Sequence, residues 1–307
     1  MKNTEHLWGI DLGGTKAEGI VLQSADDPKV LFRDRLPTEA FKGYDHVLHQ
    51  IKGVTDKMEQ AMGYRKPHIG IATPGVRDPK THLMHNSNST CLNGRPLKED
   101  LEQLLGTKLS MANDANCFAL AEATMGVVKE KFPEAQVVFG VILGTGVGGG
   151  LVVNGKIING LHGIGGEWGH NFLDESGGGP CYCGKMGCVE NVLSGPALEK
   201  FYTSLNGTKK PMKEIYADYN LLRDEYSQKT INRLIHFFGL ALSVVINIVD
   251  PDVVVIGGGV GNIDLIYTEG AKSLTNFIFN DRCETPIVKP KLGDSAGVFG
   301  AAYLTAN

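Results

Sequence analysis

Apolar and polar positions along the chain follow two periods, and the switches between them lay out its elements. Residues 7–12 read as a strand that turns through Gly13-Gly14-Thr15 and returns over 17–23, with a third strand over 30–36. From 44 to 62, Val47, Ile51, Val54, Met58 and Ala61 recur near the 3.6-residue period of a helix. A short buried strand over 68–72 stops at Thr73-Pro74-Gly75. Pro96 opens a helix that Gly106 closes, and a strand over 108–112 runs into a helix over 115–125.

The pattern then restarts. An apolar strand over 137–143 meets a glycine loop over 144–150 and returns over 151–153, and Asn154-Gly155 turns the chain into 156–158. A long apolar helix over 231–249 ends at Asp250-Pro251 and leads to a strand over 253–256 and a third loop, Gly257-Gly258-Gly259. Strand, glycine turn and strand occur once in each half. This predicts two related α/β lobes with a ligand cleft between them, one from 1–115 and 294–307, the other from 116–293.

Glycine changes the picture most. Its 40 residues are about twice the usual frequency of roughly 7%, and they gather in loops, where backbone must pass without a Cβ. The segment Asp11 to Lys16 offers the N–H groups of Gly13 and Gly14, the Thr15 hydroxyl and the Lys16 ammonium, which together suit a phosphate. Gly144, Thr145 and Gly146 repeat the arrangement. Residues 144–149 also fit GxGxxG, but a strand follows where a dinucleotide fold needs a helix, and no GxxxxGK[ST] occurs. Tight hairpins are the plain alternative for any one of these loops.

Charge excludes more than it suggests. A formal charge of −4 gives no footprint for nucleic acid or an anionic membrane. The longest apolar stretch, 237–246, falls short of the ~20 residues of a membrane span, and the N-terminus carries no export signal. The expectation is a cytoplasmic protein.

Six cysteines are present, and Cys181, Cys183 and Cys188 crowd together, eleven residues and more after His170. One imidazole and three thiolates suit tetrahedral Zn²⁺ with no open position, hence a structural ion. A Cys-x-Cys redox couple is the alternative, without a thioredoxin-like context. Cys91, Cys117 and Cys283 read as reduced packing residues. Asn113-Asp114-Ala115-Asn116 stands where a buried strand meets a helix, and by spacing alone Asp114 reads as that helix's cap.

The segments IDLGGTK, IATPG, NDANCFALAE, GTGVGGG, GEWGH, CYCGKMGCVE and VVVIGGG, with GDSAGVFGAA near the end, resemble in kind and order those of the ROK (repressor, ORF, kinase) family of sugar kinases. NSTCLNGRP and RCETP are closest in wording to bacterial fructokinases and mannofructokinases, with glucokinases beside them. Cys91 stands where their motif has Trp. The resemblance implies a two-lobed actin-like ATPase (ribonuclease H-like) α/β fold and an ATP-dependent hexose kinase acting on fructose, mannose or glucose. It implies Asp114 as general base and a sugar pocket of Asn88, Asn113, Asp114, Glu167, His170 and Glu190. Gly13, Gly14, Thr15, Gly144, Thr145 and Gly146 would lie along the ATP phosphates, Gly257, Gly258 and Gly259 near the adenosine, and Asp11 beside Mg²⁺-bound water. A homodimer is implied as well. N-acetylated hexosamines are the alternative substrates, and a sugar-sensing regulator is the alternative of another class. Repressors of this type carry a DNA-binding segment ahead of the first glycine loop, where this sequence has ten residues before Asp11.

Overall fold

The computed structural model describes residues 6–306. The chain forms two compact units. The first takes the chain up to Glu130, Gly150–Gly165 and everything from Leu292 on; the second takes Lys131–Gly149 and Gly166–Lys291.

The first unit is built on five strands: β1 (Leu7–Leu12), β2 (Lys16–Leu22), β3 (Val30–Pro37), β4 (His68–Thr73) and, after the two-residue hairpin of β5 (Val76–Arg77) and β6 (Met84–His85), β7 (Lys108–Asn113). Their order is β3-β2-β1-β4-β7. The first three are antiparallel, and β1, β4 and β7 are parallel. β1 and β4 are apolar at nearly every position because both faces of the sheet are covered. Tyr44–Met62 lays Val54 and Met58 against Gly19 on one face. On the other lies the short helix Ala296–Tyr303, whose small residues let backbone approach backbone. A Cβ at Gly70 would collide with the carbonyl of Ala301, and one at Gly300 with the carbonyl of Cys117. Thr73 pairs with Asn113, so the turn at Pro74-Gly75 and the pair Asn113-Asp114 emerge side by side. They do so at the carboxyl ends of parallel strands, where open α/β sheets bind ligands.

The second sheet repeats the scheme. Its order is β10-β9-β8-β11-β12, with β8 (Val137–Leu143), β9 (Val147–Val153), β10 (Lys156–Ile157), β11 (Val253–Gly257) and β12 (Ile287–Val288). β9 runs from residues of the second unit into those of the first between Gly149 and Gly150. β8 and β11 are parallel, with Ile142 opposite Gly257, so their glycine loops leave at the same end. The loop expected over 144–150 is shorter than the glycine run suggested, because β9 starts at Val147. Gly149 and Gly150 mark strand positions crowded by Gly166 and Ala115, respectively, rather than loop.

The long helix spans Glu225–Val249 and begins earlier than its apolar run, because Asp224 caps it by accepting the Tyr226 N–H at 2.9 Å. Contrary to the reading of 237–246, this helix is long and apolar enough to cross a membrane by length and composition. Half of its most apolar window is nonetheless buried inside the fold, as in the core helix of a globular unit. We expect Gly300→Ala to destabilise the protein by about 1–3 kcal/mol through overpacking. A denaturant titration showing no loss would contradict the close approach at Cys117.

Candidate functional site

At the end of β7, Asn113 is the residue that caps the following helix: its Oδ1 accepts the Asn116 N–H at 2.7 Å. The cap expected of Asp114 by spacing alone therefore falls one residue earlier. Asp114 opens the helix Asp114–Thr124, is exposed, and accepts only the adjacent Ala115 N–H at 2.8 Å among the partners its side chain shows. The protein packed around it still withholds water, and this raises its carboxyl above the ordinary carboxylate range against the pull of backbone amides. Asn88 is exposed, and its N–H donates to the Pro74 carbonyl at 3.3 Å, beside the turn that neighbours Asn113. Three of the expected sugar residues thus share one end of the first sheet.

Asp11 lies near the end of β1, with its Oδ2 close to Gly297 in the first turn of the last helix. Burial pushes its carboxyl up to about 7, helped by the charges of Asp114 and Glu18 and opposed by Lys16. In the following turn the Gly13 N–H donates to the Lys16 carbonyl at 2.9 Å, and Thr38 holds the Gly13 carbonyl through its hydroxyl at 2.7 Å. A Cβ at Gly14 would meet nothing in the protein within 4 Å. Lys16, expected to face phosphate, is paired with the buried Glu18 at 2.6 Å, and Arg33 holds the other oxygen of Glu18.

In the second unit the loop Gly144-Thr145-Gly146 closes through Gly144 N–H to the Gly146 carbonyl at 2.9 Å. Glu190 supports it from beneath, with Oε2 accepting the Val147 N–H at 2.9 Å. Gly258 has φ 85°, and a Cβ there would strike the Leu143 carbonyl, so this position needs glycine both for conformation and for space. Gly257, Gly258 and Gly259 thereby abut the end of β8. Glu167 precedes the turn Trp168–His170, which Trp168 anchors by donating to the Gly148 carbonyl at 2.9 Å.

His170, Cys181, Cys183 and Cys188 converge, their ligand atoms all within 4.8 Å of one another. Cys183 and Cys188 sulfurs are 3.6 Å apart, and Cys181 Sγ lies 3.7 Å from His170 Nδ1. Four ligands at Zn²⁺ bond lengths of about 2.0–2.3 Å stand roughly 3.5–3.8 Å from each other, so the donor set fits a closed tetrahedral ion. His170 turns Nδ1 to the cluster and Nε2 to the Tyr182 hydroxyl at 3.0 Å. Asn171 and Phe172 pair with Val189 and Cys188, which sets Glu190 two residues past a thiolate ligand. The cluster thus holds the carboxylate that supports the glycine loop.

Sequence reasoning missed the neighbours of that loop. A cavity of about 640 Å³ in the second unit is lined by Thr145, Gly179, Glu190, Ser194, Pro196 and Lys200, among others. Ser194 caps the helix Gly195–Asn206, and Gly195 donates its N–H to the Gly144 carbonyl at 2.8 Å. The signal was present as Ser-Gly-Pro, a helix start without a long apolar run to advertise it.

Over residues 7–307 the chain matches the family model for ROK, and it belongs to the ROK family. Among solved structures it resembles the ROK hexokinase of Thermus thermophilus at 29% identity and TM-score 0.86, covering 98% of this chain and 97% of that one. It also resembles a ROK family glucokinase from Streptomyces griseus, solved with glucose and AMPPNP, at 25% identity and TM-score 0.77, covering 97% and 98%. The protein is an ATP-dependent sugar kinase of the actin-like fold, working with Mg²⁺ and carrying a His/Cys cluster for a structural zinc ion.

The curated relatives revise the expected kinship. The N-acetyl-D-glucosamine kinase of Yersinia enterocolitica is 35% identical over 97% of this chain and 98% of its own length, and kinases of that name from Vibrio match at 34–35%. The expected nearness to fructokinases, mannofructokinases and glucokinases is overturned. It leaned on two short loop words, NSTCLNGRP and RCETP, whereas identity over the whole chain runs elsewhere. Cys91 within the first of them is half-buried and packs on the core of the first unit.

Two measurements follow. Asp11 and Asp114 both hold their protons more tightly in the folded chain than in the unfolded one, and the contribution of Asp11 to stability falls as pH rises from about 4 to about 7. Between about pH 5 and pH 8, protein free of nucleotide and divalent cations should lose melting temperature relative to Asp11→Asn. Parallel curves would remove the shift at Asp11. Purified protein should also carry about one zinc per chain, and Cys183→Ser should shed it and melt lower. Retention of both zinc and Tm by that variant would count against the cluster.

Proposed function

We propose that the protein phosphorylates N-acetyl-D-glucosamine, moving the γ-phosphoryl group of ATP to the 6-hydroxyl. The observation that carries the choice of sugar is the near full-length relation to kinases of that name. The chemistry rests on Asp114, exposed at the first residue of its helix and relieved of capping by Asn113.

In this reading the attacking hydroxyl lies against the Asp114 carboxylate. The proton passes to that carboxylate as the oxygen bonds to the γ-phosphorus, and the bond to the ADP oxygen breaks. A carboxyl raised above its ordinary range is the better proton acceptor near neutral pH. On the first unit, Asn88 and Asn113 would hold other sugar groups. In the second unit His170 turns Nδ1 to the zinc cluster and Nε2 to the Tyr182 hydroxyl at 3.0 Å.

Gly13, Gly14 and Thr15 in the first unit, and separately Gly144, Thr145 and Gly146 in the second, each suit a phosphate. Gly14 has a Cβ position that the fold itself leaves open, which suits space reserved for a ligand. Ser194 and Lys200 in the cavity beside Thr145, and Gly257 to Gly259, would serve the nucleoside side. Mg²⁺, bound with the nucleotide, would neutralise phosphate charge, and Asp11 would hold its water. Lys16 would contribute mainly through Glu18.

A coupled ADP-release assay across N-acetylglucosamine, N-acetylmannosamine, glucose, mannose and fructose should give its highest kcat/KM with N-acetylglucosamine. A clear preference for an unacetylated hexose would reject the sugar. Asp114→Ala should cut kcat by about 10²–10⁴-fold with an unchanged circular dichroism spectrum, and a folded variant of full activity would reject the base.

A further inference from the structure

Between two of the cluster's cysteines stands a tyrosine, Tyr182, on a turn that is fixed at both ends. Gly184 donates its N–H to the Cys181 carbonyl at 3.0 Å, and Cys181 donates its own to the Lys185 carbonyl at 2.8 Å. Gly184 supplies the left-handed residue of the turn, with φ 84°. Just before it, the Asn191 side chain donates to the Pro180 carbonyl at 2.8 Å. The turn delivers the thiols of Cys181 and Cys183 to the cluster and leaves the residue between them 65% exposed.

The turn itself makes no demand on that residue's side chain. Tyrosine is long enough to reach back to His170. Its hydroxyl lies 3.0 Å from His170 Nε2, and the two rings meet edge to face, 5.2 Å between centroids and 85° between planes. An aromatic ring so exposed is not there as core packing.

The chemistry of imidazole gives this contact a direction. His170 Nδ1 is the nitrogen turned to the cluster, 3.7 Å from Cys181 Sγ. A ring nitrogen that gives its lone pair to a cation cannot also carry a proton, so the neutral ring keeps its proton on Nε2. Nε2–H therefore donates, and the Tyr182 oxygen accepts. An acceptor at that nitrogen selects the tautomer the ion needs and holds the plane of the ring.

We propose that Tyr182 is a positioning residue for the zinc ligand His170, its hydroxyl accepting the Nε2 proton and so keeping Nδ1 free and aimed at the ion. The four ligands decide which metal fits, and Tyr182 decides how firmly the one imidazole among them is held. The role stands whichever sugar the enzyme takes.

The test uses the full chain loaded with zinc, without sugar or nucleotide, and reads the zinc dissociation constant by competition with a chromogenic chelator. Tyr182→Phe keeps the ring and removes the oxygen, whereas Tyr182→Leu removes both. Partners at this remove from a metal are worth about 10–100-fold in affinity, and the exposure of Tyr182 favours the lower end. Both variants should therefore weaken zinc binding about tenfold. With Co²⁺ in place of zinc, the visible ligand-field bands of Tyr182→Phe should also shift from those of the wild type, as a reoriented imidazole requires. Wild-type zinc affinity in Tyr182→Phe, a loss confined to Tyr182→Leu, or unmoved cobalt bands would each overturn the proposal.

Discussion

The hydrogen bond from the Asn116 N–H to Asn113 Oδ1 organises the reactive end of the first unit. It starts the helix Asp114–Thr124 on the last residue of β7, so strand and helix join without a loop. It takes up the capping demand that would otherwise fall on Asp114, whose carboxylate stays exposed. It also fixes the backbone of Asn116, which is 2% exposed. One cap bond therefore places the proposed base at the first residue of its helix. The parallel pairing of Thr73 with Asn113 carries that order to the Pro74-Gly75 turn and to Asn88.

In the second unit a comparable economy runs through Glu190. The donors His170, Cys181, Cys183 and Cys188 fold 170–190 around one point, and the paired segments at Asn171–Phe172 and Cys188–Val189 lead directly into that glutamate. Its carboxylate then holds the Val147 N–H, at the base of a loop with little side chain of its own to fix it. Glycine makes such a loop permissive to phosphate and poor at holding its own shape. A cross-linking ion close in sequence to its support offsets that looseness.

Much of this could be read from the sequence, and the failures have definite causes. The strands of the first sheet, those of the second apart from β12, and the helix Tyr44–Met62 were legible because burial imposes a period on them. The metal cluster was legible because ligand chemistry admits few residue types. Ala296–Tyr303 gave no amphipathic signal, since it is buried nearly all round by small residues, and 148–150 looked like loop because glycine in a crowded strand resembles glycine in a turn. Asn113 and Asp114 are both good caps, and only coordinates show which side chain turned back to the amide. The pairing of Lys16 with Glu18 was equally hidden, because a lysine after a glycine turn looks the same whether it meets a phosphate or a carboxylate.

The sugar shows where such reading runs out. Words as short as NSTCLNGRP span few residues, which can coincide between enzymes of different preference. Preference among sugars is set by hydrogen-bond complementarity in a closed space, because an unanswered buried donor or acceptor penalises the wrong ligand more than apolar contact does. The NDAN motif announces a kinase, yet its cap Asn113 and its proposed base Asp114 serve phosphoryl transfer whatever sugar is bound. The chemistry common to the family is written in residue types, whereas discrimination among sugars depends on which atoms of those residues the fold turns towards the ligand.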